Sequence, residues 1–290
     1  MGQNEHAILI SAYKNFQYLE NLIEKISKNF DVYVHVDKSS KEIKHEQIVY
    51  LENKYHCKCW AKYSCCWGGY NVLLAYVDLL KESHKKKYRY YHIISGEDIP
   101  VKSASEIYDF FKNNNQIYMS IHDASKRVLK ERYKYWYFLK NRDLRIQPWK
   151  LLNHISIYIQ KSLKIERKRI GSETHIYKGY VYCSLPEDAV KYVIDYIEKN
   201  SDFMKDISQC FIMEELFFQT ILGNSPLRDR ISGECLRYSV WEYKHGSIPG
   251  YLDESDIHSI EMGNYIFARK VNYIYSEKLI QEMDRKYRRK

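Results

Sequence analysis

Glycine and proline are scarce in this chain, 11 and 5 among 290 residues, and no Ser/Gly-rich or Pro-rich stretch interrupts it. A linker between independent units has no obvious place, so the chain reads as a single domain over residues 1–290. No apolar run approaches the roughly 18 residues of a membrane-spanning helix. The start, Met1-Gly-Gln-Asn-Glu-His6, lacks the basic region and apolar core of a signal peptide, and a cytoplasmic protein is expected, either soluble or peripheral at the inner face of the membrane. No G-x-G-x-x-G follows the first extended run, and no G-x-x-x-x-G-K-[ST] occurs, which argues against dinucleotide-binding and P-loop enzymes. D-x-D is absent too; the nearest form is Glu254-Ser-Asp256, in a polar late segment. The seven cysteines are odd in number, and the cluster His56-Cys57-Lys-Cys59 with Cys65-Cys66 lacks the C-x-x-C spacing of a zinc knuckle. Reduced, buried thiols are expected there.

The net charge is +9 and tyrosine is abundant, with 29 residues. That mixture suits nucleic acid, an anionic membrane or a phosphorylated ligand, and charge alone does not choose. No ribonucleoprotein motif and no G-x-x-G loop between helices supports RNA binding. The basic runs His84-Lys-Lys-Lys87 and Asp284-Arg-Lys-Tyr-Arg-Arg-Lys290 read as solvated ends. Residues Pro148 to Arg169 repeat Leu152, Ile155, Ile159 and Leu163 at helical spacing, with Lys150, Lys161, Lys164, Arg167 and Lys168 nearby. Such a basic amphipathic helix either packs on its own core or lies on an anionic bilayer, and core packing is favoured.

Extended and helical patterns alternate. Ala7–Ser11, Val32–Val36 and Tyr90–Ile94 read as buried strands, with helical periodicity over Phe16–Ile26 and around Leu73–Leu80 after Gly68-Gly69. Ser103-x-x-Glu106 and Ser184-x-x-Glu187 both fit capping boxes that open helices. This order predicts an α/β fold with a mostly parallel sheet and helices on both faces. Ligands of such sheets gather at the carboxyl ends of strands, where Ser11, Asp37 and Ser95-Gly-Glu-Asp98 fall. Asp37 suits a base or ribose, or a turn. Gly96 is read as a point of close ligand approach.

Two adjacent acids stand inside the apolar run Phe211-Ile-Met-Glu-Glu-Leu-Phe-Phe-Gln-Thr-Ile-Leu222. A carboxylate walled by Phe and Ile is desolvated, which raises its pKa toward neutrality and suits it to take a proton from a hydroxyl. Periodicity points Phe211, Leu216, Phe217 and Ile221 to a core, turns Glu214 away and leaves Glu215 bordering that face. A helix turned outward at both acids is the alternative. Trp67 and Trp241 can stack on a sugar, although an isolated Trp is more often core.

Tyr33-Val-His-Val-Asp-Lys38, Trp67-Gly-Gly-Tyr70, Ile94-Ser-Gly-Glu-Asp-Ile-Pro-Val-Lys-Ser103, Glu214-Glu-Leu-Phe-Phe-Gln219, Leu236-Arg-Tyr-Ser-Val-Trp241 and Phe267-Ala-Arg-Lys270 occur in this order. As an ordered set they resemble the core-2/I-branching N-acetylglucosaminyltransferases, glycosyltransferase family 14, which also includes peptide O-xylosyltransferases and bacterial members. The resemblance spans about residues 7 to 275 and is closest to the bacterial branch. It implies a GT-A-like fold, with residues up to about 120 as a nucleotide-binding half and residues from about 121 onward as an acceptor-binding and catalytic half.

The implied reaction is inverting, metal-independent transfer of a sugar from a UDP-sugar, with no cofactor. N-acetylglucosamine is the favoured sugar, with xylose or another hexose as alternatives, and the acceptor is a glycan or lipid-linked glycan hydroxyl in bacterial surface polysaccharide synthesis. The resemblance makes Glu215 the base and Glu214 a neighbour that tunes it or contacts the acceptor. It puts Lys270 on the diphosphate, and Ser11, Asp37, Asp98 and Arg269 join it as nucleotide-sugar candidates. Trp67, Trp241 and, in Glu131-Arg-Tyr133, Arg132 are candidates for sugar or acceptor. Many relatives carry a second basic residue where this chain has Gly250, and Lys244, Arg237 and Arg269 are the substitutes considered. A non-catalytic RNA- or membrane-binding protein is the rival class.

Overall fold

The computed structural model describes residues 4–125, 127–167 and 174–288. Strand β1 (His6–Ala12) is followed by α1 (Phe16–Ile26), β2 (Asp31–Val36), α2 (His45–Tyr55), β3 (Lys58–Trp60), α3 (Tyr70–His84) and β4 (Tyr90–Ser95). These four strands are parallel, in the order β3-β2-β1-β4, as alternating strands and crossover helices dictate. After β5 (Asp98–Pro100) and α4 (Ala104–Phe111) come β6 (His122–Asp123), α5 (Arg127–Lys134), α6 (Trp149–Ser162), β7 (Tyr177–Lys178) and β8 (Ser184–Pro186). Strand β8 adds antiparallel to β4 and completes the sheet of five. Helices α7 (Glu187–Lys199), α8 (Ser201–Ile207) and α9 (Glu214–Gly223) precede β9 (Arg237–Ser239), α10 (Ile257–Met262), β10 (Phe267–Arg269) and α11 (Glu277–Arg288). A second sheet runs β5-β10-β9, and its register sets Asp98 opposite Arg269.

Alternation along the strands divides the core between two faces. Ala7, Leu9 and Tyr33 pack with α3, α7 and α9, while Ile8, Ile10, Val32 and Val34 pack with α1, α2, α4 and α11. The expected mostly parallel sheet with helices on both faces is what forms. At the carboxyl edge, the amide of Asp37 donates to the carbonyl of Ala12 at 2.8 Å and that of Gly96 to Ser11 at 2.9 Å. These bonds draw the loops after β1, β2 and β4 together.

Four expectations need correction. Ser103 and Glu106 form the capping box of α4, but Ser184 lies in β8, and its hydroxyl is engaged by His92 Nδ1 and Arg237 Nη1 at 2.8 Å each. Helix α7 therefore starts without a serine cap. A Cβ on Gly96 would lie 3.0 Å from the Cβ of Ala12, so that glycine serves strand–turn packing, not ligand approach. Helix α6 does not cover its apolar stripe, since Leu152, Ile155 and Ile159 are exposed. Of the cations read beside it, Arg167 is buried and Lys168 lies outside the described residues. The fourth correction concerns Glu214 and Glu215, taken up below.

Candidate active site

A buried ion pair joins β5 to β10. Asp98 is fully buried and Arg269 nearly so, and Arg269 Nε donates to Asp98 Oδ1 at 3.0 Å. Ser95 also donates to that carboxylate, and Arg269 reaches the Tyr180 hydroxyl and lies over the Tyr182 ring, 3.9 Å from its centroid. Burial pushes the Asp98 carboxyl up from its ordinary range, and Arg269 and Ser95 oppose that shift. Neither charge can be spared alone, because an uncompensated buried ion is costly. Both side chains are turned onto each other.

Next to this pair lies a cluster of which the sequence pointed to Lys270 alone. Lys14, in the loop after β1, has its Nζ 3.1 Å from Glu97 Oε1 and 3.0 Å from the Tyr251 hydroxyl. Lys270 approaches the other Glu97 oxygen at 3.8 Å and donates to Ser247 Oγ at 3.4 Å. Two ammonium groups thus flank a single carboxylate. Burial works against the charge of Lys14, but Tyr13, Tyr251 and Glu97 more than offset it and hold its pKa above the ordinary value. For Lys270 burial prevails and lowers the pKa, with Glu97 opposing. Lys14 carried no family signal; its one sequence cue is its place directly after a strand end.

None of the substitutes considered for a basic residue at position 250 is free. Lys244 is held by Asp253 at 2.9 Å and Asp256 at 2.6 Å. Arg237 is buried and donates to the carbonyls of Ile93 and Cys183, and Arg269 is committed to Asp98. A Cβ on Gly250 would fall 2.5 Å from the Cβ of Lys244, so a side chain there is excluded unless that segment moves. Lys14 is hydrogen-bonded to Tyr251, the neighbour of Gly250.

The two adjacent acids reverse the arrangement expected from periodicity. Glu214 is buried, 8% exposed, while Glu215 borders the open side. Every residue of α9 except Glu215 is buried, so the helix is enclosed nearly all round and periodicity along it does not decide which acid is covered. Burial raises the Glu214 pKa to about 8, opposed by a backbone hydrogen bond and by Arg132 and helped by the charge of Glu215, and one of its oxygens, Oε2, is buried with no hydrogen-bond partner among the described residues. The desolvated acid is therefore Glu214. Glu215 is an ion-paired carboxylate: Oε2 receives Arg132 Nη1 at 2.7 Å and Lys178 Nζ at 3.3 Å. Among the described residues Oε1 accepts no hydrogen bond. Lys178 was not anticipated; it is delivered by β7, anchored where Gly179 donates to the Glu215 carbonyl at 2.9 Å.

Asp37 Oδ1 closes a turn by accepting from the amide and hydroxyl of Ser39, at 2.9 and 2.7 Å, and from the Cys65 amide at 2.9 Å. The turn reading of Asp37 is thus realised, and Oδ2 accepts no hydrogen bond among the described residues. Ser11 sits beside it, in register with His35 and Ser95. Trp67 and Trp241 are 42% and 59% exposed, so neither is the core residue that an isolated Trp usually is. Trp67 packs edge-on to Phe211 with Arg145 over its face at 4.8 Å, and Trp241 packs edge-on to Tyr180. Arg145 lies within electrostatic reach of Lys270 and Cys66, and Cys66 in turn of Asp37 and Glu214. A chain of electrostatic neighbours thus links Lys270, Asp37 and Glu214.

Glu254 pairs with Lys278 and Asp256 with Lys244. Among the described residues no group of three or more His, Cys, Asp or Glu is placed to hold a metal ion, and all seven thiols are free.

The chain belongs to the Core-2/I-Branching enzyme family, whose sequence profile matches residues 6–264. The sheet order and flanking helices are those of the GT-A-like glycosyltransferase fold expected of that family. The chain is similar to xylosyltransferase 1 of Rattus norvegicus, 23% identical over 283 residues, covering 89% of this chain and 32% of the relative. It is similar to the xylosyltransferase 1 proteins of Mus musculus, 23% identical over 302 residues with 94% and 29% covered, and of Homo sapiens, 22% over 286 residues with 89% and 27% covered. The chain spans about a third of the length of these curated relatives.

Proposed function

We propose that the protein transfers a sugar from a UDP-sugar to a hydroxyl of a glycan acceptor, with inversion and without a metal ion, and that Glu215 is the base. The observation that carries this reading is the asymmetric environment of Glu215. Arg132 and Lys178 hold Oε2, and Oε1, which accepts no hydrogen bond among the described residues, is available to receive the acceptor proton. A base locked at one oxygen is oriented without being used up.

Asp37 Oδ2 and Ser11 serve the nucleoside. Lys14 and Lys270 receive the diphosphate as it departs, which supplies the charge that a metal ion otherwise provides. On nucleotide binding Glu97 gives up its share of the two lysines. Asp98 and Arg269 act by positioning Ser95 and Tyr180, not by touching the nucleotide. The exposed rings of Trp67 and Trp241 offer apolar faces to sugar rings. With a pKa of about 8, Glu214 is mostly protonated at neutral pH and can donate a hydrogen bond to the donor sugar or the acceptor.

N-acetylglucosamine remains our first donor assignment. Xylose is the second reading, favoured by the names of the similar curated proteins. Hydrolysis and transfer across a panel of UDP-sugars, with wild type, Glu215→Gln and Glu214→Gln, test both points. Loss of transfer in Glu215→Gln with UDP affinity retained supports the assignment. Loss only in Glu214→Gln would move the base to the buried acid.

A further inference from the structure

From Arg145 to Ile165 the chain carries no acidic residue. Helix α6 lies in this stretch, and its one buried side chain is polar: the Gln160 amide accepts from the Trp136 backbone amide at 2.8 Å and donates to the Trp136 carbonyl at 3.0 Å. That clamp seats α6 on the segment after α5 and turns its apolar face outward. Leu151, Leu152, Ile155, Ile159 and Leu163 are 46–65% exposed, and an apolar groove runs between Leu152, Ile155 and Ile159 on one side and Trp136 and Phe138 on the other. Lys150, His154 and Lys161 follow one edge of this face at helical spacing. The nearby acids are neutralised, Glu131 by Lys161 at 2.9 Å and Glu166 by Lys134. Lys150 and Lys164 make no ion pair among the described residues.

We propose that α6 and the turn after it dock on an anionic lipid bilayer, with the apolar face in the headgroup–acyl boundary and Lys150 and Lys164 against lipid phosphates. Charge complementarity selects this occupant. A second copy of the same face would add these lysines to like charge, whereas an anionic bilayer supplies apolar depth and negative charge together. The helix lies flat: 14 residues span about 21 Å, too short to cross, and no described helix is long and apolar enough to do so. The inference does not depend on sugar transfer.

The test is sedimentation of the full chain with vesicles of phosphatidylcholine alone and of phosphatidylcholine mixed with phosphatidylglycerol. Wild type is expected to partition onto the anionic vesicles at least about tenfold better than onto the neutral ones, since each juxtamembrane lysine contributes about fivefold. Lys150→Glu with Lys164→Glu should abolish that preference. Leu152→Ser with Ile155→Ser and Ile159→Ser should abolish binding at an unchanged melting temperature, because all three side chains are already about half exposed. Equal binding to both vesicles, binding unchanged in the triple variant, or no binding by wild type would overturn the proposal. A wild-type dimer that the triple variant converts to monomer, with no vesicle binding, would assign the face to a second copy instead.

Discussion

Arg132 Nη1 meets Glu215 Oε2 at 2.7 Å across 83 residues of sequence, joining the segment before α6 to the first turn of α9. The contact fixes one oxygen of the proposed base and leaves the other free. Arg132→Met should lower kcat by about tenfold to a hundredfold while UDP affinity stays unchanged, since orientation of the base is lost but the nucleotide site is not. Arg132→Lys should recover part of the rate. Equal losses in both variants, accompanied by weaker UDP binding, would show a structural role instead.

Glu215→Gln removes the proton acceptor itself. Its transfer rate should fall by about a hundredfold to ten-thousandfold, with UDP binding by calorimetry within error of wild type.

Glu214 makes stability depend on pH. Its folded pKa, about 8, lies above the ordinary 4.5, so the native state holds a proton that the unfolded chain has released. Stability contributed by the protonated form is fully present below about 4.5 and is lost as pH rises toward 8, on the order of 1 kcal/mol per pH unit. Urea melts of wild type and Glu214→Gln should nearly coincide at the acid end of this window and diverge in favour of the variant at its alkaline end. Parallel pH curves for the two proteins would refute the burial argument.

The lysine pair predicts the nucleotide affinity. Lys14→Met and Lys270→Met should each weaken UDP binding by about ten- to a hundredfold, as expected for one charge-assisted hydrogen bond. Uridine, which lacks the diphosphate, should bind all three proteins alike. Glu97→Gln frees both lysines and should tighten UDP binding. Transfer should persist in EDTA; its abolition would bring Glu254 and Asp256 back as metal ligands.

Asp98→Ala leaves Arg269 buried without its counter-ion and should cost about 3–5 kcal/mol, a large share of the stability of an ordinary domain. A melting temperature within a degree or so of wild type would contradict the buried pair.

Much of the fold was legible in the sequence because strand and helix periodicities are local. The runs at Ala7–Ser11, Val32–Val36 and Tyr90–Ile94 each became a strand, and Gly68-Gly69 did precede a helix. Ser184 misled because its hydroxyl is taken by Arg237, 53 residues away, and no local pattern records that competition. Glu214 and Glu215 were recognisable as an anomalous pair, but which of them is buried follows from how the surrounding segments enclose all of α9 except Glu215.

The sequence by itself determined the α/β alternation, the family and the presence of acids in an apolar run, all properties of composition and spacing. The tertiary structure alone decided the pairings: Lys14 with Lys270 across Glu97, Arg132 and Lys178 on Glu215, and the outward turn of α6. Each of these rests on through-space electrostatics or on packing between distant segments. Side chains that meet in this way leave no periodic trace along the chain.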